Sequence, residues 1–413
     1  MAEESWAGIS YADLADPQKD FLTSVIQDSD RNFFLKGCAG SGKTVIAAHV
    51  IRILRKEKNI SVKLLVYTKL LSKFISDGFK DIGNEIENVE NFHSWRPNFN
   101  DQVDMIIVDE SQDFRMDWIT KVKSFSQNQI WLGDASQQIY ANSKDDAGFR
   151  NINAEFSNSN ETELTTNYRN SISIAQLAKC FININEFDQK AGITLEEKIN
   201  NFIIPIANNE RQTSGARNQP NIFIEAKNES DEFDAIAKIV KDLQNNDEPS
   251  KQIAITHLIH NRTSEPEPNH LDYMEIELRK RGVDFLRITR DKEILPNFRN
   301  KNLTILSPIH SLKGIEFDYI IFPRTETPKI GFWEEKEIND NLMFVLFSRA
   351  KTRIYCSYVN KNQSYIYNAI KSDIPNDFFQ FVSSSEILGN SVPKQSNEES
   401  EKKVEEYFNG LGL

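Results

Sequence analysis

The segment Gly37-Cys38-Ala39-Gly40-Ser41-Gly42-Lys43-Thr44 constrains this chain more than any other, because it fits G-x-x-x-x-G-K-[ST] and directly follows the apolar run Phe33-Phe34-Leu35. That run reads as a short buried strand, and Val45 to Arg55 reads as the helix leaving the turn. Strand, glycine-rich turn and helix in this order form an anion cradle. Successive backbone N–H groups from Gly37 to Gly42, those of Ala39, Gly40 and Ser41 included, can point inward at a phosphate. Lys43 can reach its β and γ oxygens, and the Thr44 hydroxyl can hold Mg2+. The positive end of the helix dipole faces the same anion. An ordinary glycine turn is the bland alternative, and the flanking strand and helix argue against it.

A P-loop that hydrolyses nucleotide needs a carboxylate at the end of a neighbouring buried strand to hold the metal, and a base to align water. Met105-Ile106-Ile107-Val108 is a continuous apolar run suited to a central parallel strand, and Asp109-Glu110 follows at once. Asp109 is expected to bind Mg2+ through its water shell, and Glu110 to orient or deprotonate the attacking water. A strand capped by two solvated acids is the competing reading, which Lys43 upstream disfavours.

The acids continue as Asp109-Glu110-Ser111-Gln112-Asp113, and here the chain resembles the UvrD/Rep-like branch of superfamily-1 helicases, whose segment reads D-E-x-Q-D. Other segments resemble that family in its own order. Leu14-Ala15-Asp16-Pro17-Gln18 resembles the glutamine motif, which implies Gln18 as the reader of adenine; an amide can pair with its N6 and N7. Leu64-Leu65-Val66-Tyr67-Thr68 ends like the family's T-F-T, implying that Tyr67 stacks on a base with Thr68 beside it. Phe92-His93-Ser94 resembles F-H-S, implying a contact of His93 with the strand backbone. Tyr67 and His93 can also be read as core or strand-end residues.

Trp131 to Tyr140 resembles G-D-x-x-Q-x-I-Y, implying Gln137 as the γ-phosphate sensor and Tyr140 as a nucleic-acid contact. Leu164-Thr165-Thr166-Asn167-Tyr168-Arg169 resembles N-Y-R, implying that Tyr168 stacks on adenine and Arg169 reaches the γ-phosphate. Val345 to Lys351 resembles V-x-x-T-R-A-K, implying Arg349 as a second arginine, and two guanidiniums suit the charge of a phosphoryl transition state. His310 to Phe317 resembles H-x-x-K-G-L-E-F, implying that His310 touches the nucleic-acid backbone and Glu316 the nucleotide sugar. The chain departs from the family twice: Asn142 stands where a base-stacking tryptophan is usual, and Pro308 replaces a threonine, removing a hydroxyl and a backbone donor.

The length of 413 residues admits two medium domains. Repeated strand-then-helix patterning predicts an α/β fold of two RecA-like parallel-sheet lobes with the nucleotide between them. Residues 1–157 are expected as the first RecA-like P-loop ATPase domain and 158–388 as the second. Residues 389–413 are expected as a polar tail, in which Val404, Phe408 and Leu411 can form one short apolar helix face. Within the second lobe, strands are expected at Asn221-Ile222-Phe223-Ile224, Gln252-Ile253-Ala254-Ile255, Val283-Asp284-Phe285-Leu286 and Leu303-Thr304-Ile305-Leu306. Helices are expected from Glu232 to Leu243 and from Leu271 to Arg281. Long UvrD-like enzymes carry large inserted subdomains. Here only Thr289 to Asn302 separates the last two strands, and the stretch from Phe92 to Met105 is equally short, so a compact form is expected.

A net charge of −12 means that any nucleic-acid groove must be locally basic. Cys38, Cys180 and Cys356 lack metal spacing and suggest a reducing compartment, hence a cytoplasmic location; no membrane span or signal peptide is read. The resemblance implies ATP and Mg2+ as cofactors and single-stranded DNA as partner, with RNA equally compatible, and 3′-to-5′ movement. A second reading stays open. Small UvrD-like proteins resembling this one occur in bacterial anti-phage systems, and that resemblance implies as the alternative an ATPase switch that regulates a partner protein such as a nuclease. A small-molecule kinase would leave Gln137, Arg169 and Arg349 unexplained.

Overall fold

The computed structural model describes residues 6–81, 89–95, 102–139, 160–184, 192, 194–203, 219–245, 251–257, 270–288, 295–300, 302–326, 336–370 and 376–389. They form two compact units. The first comprises residues 1–168 with 183–205 and 297–299, and the second takes 169–182, 206–296 and 300–413.

Apolar runs without polar alternation make strands suited to a sheet covered on both faces. In the first unit these are β1 (Phe33–Gly37), β2 (Val62–Val66), β4 (Met105–Val108) and β5 (Asn128–Gly133), joined by β3 (Val89–Asn91) and β6 (Asn160–Leu164). Their order is β3-β2-β4-β5-β1-β6, and every pairing is parallel. Helices α1 (Asp16–Gln27), α2 (Lys43–Glu57), α3 (Lys69–Asp81) and α4 (Met116–Phe125) belong to this unit. One side of the sheet is packed by Phe34, Leu65, Ile106, Val108, Phe114, Ile119 and Trp131.

The second unit contains β7 (Asn221–Glu225), β8 (Ile253–His257), β9 (Leu286–Arg287), β10 (Thr304–Pro308), β11 (Phe317–Phe322), β12 (Ala350–Tyr358) and β13 (Phe379–Ser383). Their order is β13-β7-β12-β11-β8-β10-β9, again parallel throughout. After α5 (Ile172–Lys179), and α6 (Leu195–Ile203) of the first unit, come α7 (Glu229–Asn245), α8 (His270–Lys280) and α9 (Lys336–Ser348). Helix α7 buries Phe233, Ile236, Ile239 and Val240 at helical spacing. Each such side chain contributes about 1.5–3 kcal/mol, which outweighs the weak propensity of the polar first turn.

The α/β architecture of two parallel sheets agrees with expectation. Residues 183–205, expected within the second domain of 158–388, belong to the first unit, and three further boundaries differ. The first unit does not end at residue 157: β6 pairs with β1 from Phe33↔Asn160 to Gly37↔Leu164, which carries the first sheet to Leu164. Most of Val283–Leu286 is not strand. Gly282, at φ +66°, turns the chain out of α8, and the Val283 N–H donates to the Leu278 carbonyl (3.1 Å), a helix-terminating bond. Only Leu286–Arg287 then pairs with β10. Third, Asn297–Arg299, in the connection expected to lie wholly in the second lobe, belongs to the first unit. The Phe298 N–H donates to Asp77 Oδ2 of α3 (2.9 Å), its ring meets Phe74 edge-on at 5.2 Å, and Arg299 pairs with Asp81 (2.8 Å). The expected terminal helix, with Val404, Phe408 and Leu411, lies outside the described residues, as do Tyr140 and Asn142.

Candidate active site

The glycine-rich turn leaves the carboxyl end of β1 and enters α2 at Lys43. A Cβ on Gly37 would stand 2.4 Å from Ser41 Oγ, and one on Gly42, at φ +87°, would stand 2.5 Å from Gln18 Nε2. A Cβ on Gly37 would also meet the Leu164 backbone carbonyl at 3.2 Å, and Gly42 takes left-handed backbone, so glycine is favoured at both positions. Gly40 also has positive φ, at +75°. Lys43 curls into its own loop, donating to the carbonyls of Gly37 (2.7 Å) and Cys38 (3.2 Å). Ser41 Oγ is buried with no hydrogen-bond partner among the described residues. Gln18 clamps the loop from α1: its Nε2 donates to the Ser41 carbonyl and its Oε1 accepts from the Ala15 N–H, both at 2.9 Å. From the other side the Tyr168 N–H donates to the Gly40 carbonyl (2.9 Å). Ala39 is buried at the base of the turn.

Asp109 and Glu110 follow β4. The Thr44 hydroxyl donates to Asp109 Oδ2 (2.8 Å), which brings the P-loop threonine and the strand-end acid together. Burial, together with the neighbouring Glu110 charge, pushes the Asp109 carboxyl up to about 6, against the pull of the Thr44 hydrogen bond and Lys43. Two adjacent buried acids, a hydroxyl and a lysine make a donor set of oxygens with a cation at its edge. That set fits Mg2+ of the P-loop kind, held by one or two carboxylates plus substrate phosphates instead of a protein cage. No cluster of three or more His, Cys, Asp or Glu suited to a metal occurs among the described residues.

Glu110 takes left-handed backbone, at φ +56°, with its N–H donating to Asp109 Oδ1 (2.8 Å). Its side chain enters a chain of polar contacts that sequence reasoning did not identify. Gln112 Nε2 donates to Glu110 Oε2 (2.6 Å), and Gln112 Oε1 accepts from the Asp134 N–H (3.1 Å). Asp134 in turn accepts from Gln137 Nε2 at Oδ2 (2.8 Å) and from the Ser136 N–H at Oδ1 (2.9 Å). Glu110 is thereby linked through Gln112 and Asp134 to Gln137. All four are buried, which strengthens each bond. Gln112 and Asp134 stand inside the recognised segments; an amide between two acidic positions was the available signal.

In the second unit, Arg169 Nη2 pairs with Glu316 Oε1 (3.2 Å) and Nη1 donates to the Ser348 carbonyl (3.3 Å). Asn170 Nδ2 donates to the same carbonyl (3.0 Å) and to that of Ala350. Burial alone would raise the Glu316 carboxyl, but the charges of Arg169, Lys351 and Arg349 and the Arg169 hydrogen bond hold it below the usual carboxylate range. Arg349 is 2% exposed, with its Nε on the Val345 carbonyl (3.2 Å), and its own carbonyl accepts from the Phe317 N–H. Arg169, Glu316 and Arg349 thus share one neighbourhood at the amino ends of β11 and β12. His310, half-exposed, stands in a 3-10 turn at the carboxyl end of β10, and Pro308, two positions before it, ends that strand.

Of the expected nucleic-acid contacts in the first unit, Tyr67 is half-exposed and His93 exposed, their rings edge to face at 5.1 Å. Thr68 Oγ1 accepts from the Leu71 N–H (3.0 Å), capping α3.

A family model described as an AAA domain matches residues 13–197. No curated protein matches the sequence. Among solved structures, the Saccharomyces cerevisiae Dbp5 bound to RNA and ADP BeF3 matches with a TM-score of 0.50 at 13% identity, covering 96% of this chain and 94% of that one. The fold is that of tandem RecA-like helicase domains. A structure described as two coordinating Pif1 helicases at forked dsDNA matches with a TM-score of 0.38 at 16% identity, over 85% of this chain and 94% of that one. The AAA-domain match and this fold support an ATP-hydrolysing enzyme. No helix among the described residues is long and apolar enough to cross a membrane.

Proposed function

We propose that the protein is an ATP-dependent motor of the UvrD-like kind that hydrolyses ATP while bound to single-stranded DNA, with 3′-to-5′ movement. The carrying observation is the buried chain Glu110–Gln112–Asp134–Gln137 beside the Thr44–Asp109 contact, since a simple nucleotide-binding fold needs no such link from base to sensor. In this reading Lys43 leaves the Gly37 and Cys38 carbonyls to pair with phosphate oxygens, and the N–H groups of the turn do likewise. Thr44 and Asp109 hold Mg2+, which when bound neutralises charge on the β- and γ-phosphates. Glu110, oriented by Gln112, accepts a proton from the attacking water. Gln137 reads the γ-phosphate and, by exchanging its Asp134 bond, passes the change to the β4 and β5 ends. Arg169 and Arg349 carry the guanidiniums that transition-state charge requires, with Glu316 paired to Arg169. Gln18 and Tyr168 border the adenine; Tyr67, Thr68, His93, Tyr140 and His310 meet the strand.

The decisive experiment compares steady-state ATPase with and without oligo-dT in the native chain, Glu110→Gln and Tyr67→Ala. Glu110→Gln is expected to lose turnover by about 10²–10⁴-fold, and Tyr67→Ala to keep basal hydrolysis but lose stimulation. The net charge of −12 favours one second reading, a switch whose ATPase answers to a partner protein such as a nuclease in an anti-phage assembly. Hydrolysis that needs Glu110 yet ignores every oligonucleotide would select it.

A further inference from the structure

Three neighbouring parallel strands, in the order β3-β2-β4, deliver aromatic side chains to one place at their carboxyl ends. Tyr67 is the residue after β2, and His93 lies two residues past β3. Trp118 stands in the first turn of α4, the helix that follows β4 and its short 3-10 turn. The rings meet: Tyr67 and Trp118 are 5.8 Å apart at 41°, His93 lies 4.8 Å from Trp118 at 89°, and His93 is edge-on to Tyr67 at 88°. Beneath them sits a buried layer, Phe92 and Phe114, with Trp118 tilted over Phe92 at 4.5 Å and 30°. Asn91 locks the arrangement, its side chain donating to the Tyr67 carbonyl and accepting from the Ser94 hydroxyl (3.1 Å). Lys121, one turn along α4, covers Phe92 and Trp95 from the other side.

Two tryptophans of the same cluster, Trp95 and Trp131, are 2% and 0% exposed, as core residues should be. Trp118 is only half-buried, flanked by exposed Arg115 and Asp117. A residue needed only to lid Phe92 could be any aliphatic. A half-open indole beside a half-open phenol and an exposed imidazole is a surface with several π-faces and polar edges, which suits a nucleobase better than an aliphatic or acidic ligand. Ligands of open parallel sheets bind outside the carboxyl ends of the strands, where these three residues stand.

We propose that Trp118 is a nucleobase-stacking residue of the single-strand site, receiving the base next to the one on Tyr67; this rests on the motor reading above. Tyr67 and Trp118 are too close for a ring to enter between them, so two successive bases lie on their outer faces, with His93 at the shared edge. The site is built from stacking and carries no sequence preference. DNA and RNA share this chemistry.

The test measures binding of labelled oligo-dT and oligo-rU to the native full chain, Trp118→Leu and Trp118→Phe at one salt concentration, with thermal midpoints recorded alongside. Trp118→Leu keeps apolar cover on Phe92 and is expected to weaken binding by about 5- to 100-fold, whereas Trp118→Phe keeps most of it. Native tryptophan emission is expected to fall on adding oligo-dT, and this change is expected to vanish in Trp118→Phe, a readout that does not depend on the leucine variant folding. Native-strength binding by a folded Trp118→Leu, or the same emission change in Trp118→Phe, overturns the assignment while leaving the motor reading intact. A native chain that binds neither oligonucleotide overturns both. Comparison of the two oligonucleotides tells which nucleic acid the site prefers.

Discussion

A single amide, Gln112, joins the residue expected to activate water to the residue expected to sense phosphate. Its Nε2 fixes one oxygen of Glu110, and its Oε1 anchors the backbone of Asp134. A hydrogen bond to a charged group is worth about 1.5–3 kcal/mol, so Gln112→Ala is expected to lower kcat by about 10- to 100-fold while KM for ATP changes little. Steady-state ATPase separates the two parameters, and a loss confined to KM would point to a binding role. Glu232 makes a second residue-scale case. It is fully buried at the start of α7, its Oε1 accepting from Ser357 Oγ and from the Arg324 N–H (2.9 Å), and its Oε2 without a hydrogen-bond partner among the described residues. Burial is the main reason its carboxyl rises to about 7, against the hydrogen bonds of Ser357 and Arg324. The folded chain therefore holds this proton more tightly than the unfolded chain, whose glutamate ionises near the usual 4.5. Stability from this group is full below about pH 4.5 and is lost as pH rises through about 7. Glu232→Gln is expected to raise the thermal midpoint at pH 8 and to leave it nearly unchanged at pH 4.5, flattening the pH profile of melting. The residue types at the nucleotide site were readable because Lys43, Thr44, Asp109 and Glu110 sit in contiguous spacing. Their partners were not: Gln18 spends its amide on Ala15 and Ser41, a pairing set by where α1 packs.

Elements follow the same division. Strands buried on both faces, such as β1, β4 and β8, announce themselves as apolar runs, so both parallel sheets were expected from the sequence. Edge strand β6 did not. Asn-Glu-Thr-Glu-Leu reads as a polar connection, yet its backbone pairs with β1 and its Glu161 pairs with Lys36 across the strands. An edge is held by its ladder more than by apolar side chains, and hydropathy patterning is blind to that. The short connection after β9 was equally opaque. The docking of Phe298 on α3 depends on Asp77, a buried acid more than two hundred positions away in the chain. Phe298 is 6% exposed and packs on Phe74, so Phe298→Ala is expected to remove about 2–4 kcal/mol from the first unit. For a unit of this size that lowers its midpoint by roughly 5–12 °C in a thermal melt. An unchanged midpoint would mean that Asn297–Arg299 merely rests against α3.

At the scale of the whole molecule, charge and chemistry pull in opposite directions. The chain carries 61 acidic against 49 basic side chains, so its mean field repels a polyanion, while the aromatic group at Tyr67, His93 and Trp118 offers attraction that needs no charge. The balance between them is measurable as a salt dependence. For single strands the logarithm of affinity falls with the logarithm of salt at about 0.7 per phosphate neutralised, a term that stacking does not share. A binder relying on rings and a few local cations is expected to engage about two phosphates, so that raising salt fourfold weakens oligo-dT binding by only about sevenfold. A groove relying on six or more phosphate contacts would instead lose several hundredfold over the same change. Fluorescence anisotropy across a salt series reads this slope directly. A steep slope in the native chain that stays equally steep in Trp118→Leu would shift the source of affinity from the β2–β4 ends to a basic surface elsewhere. A shallow slope, with affinity lost on removing the indole, ties an acidic protein's grip on single strands to the aromatic residues that three parallel strands bring together.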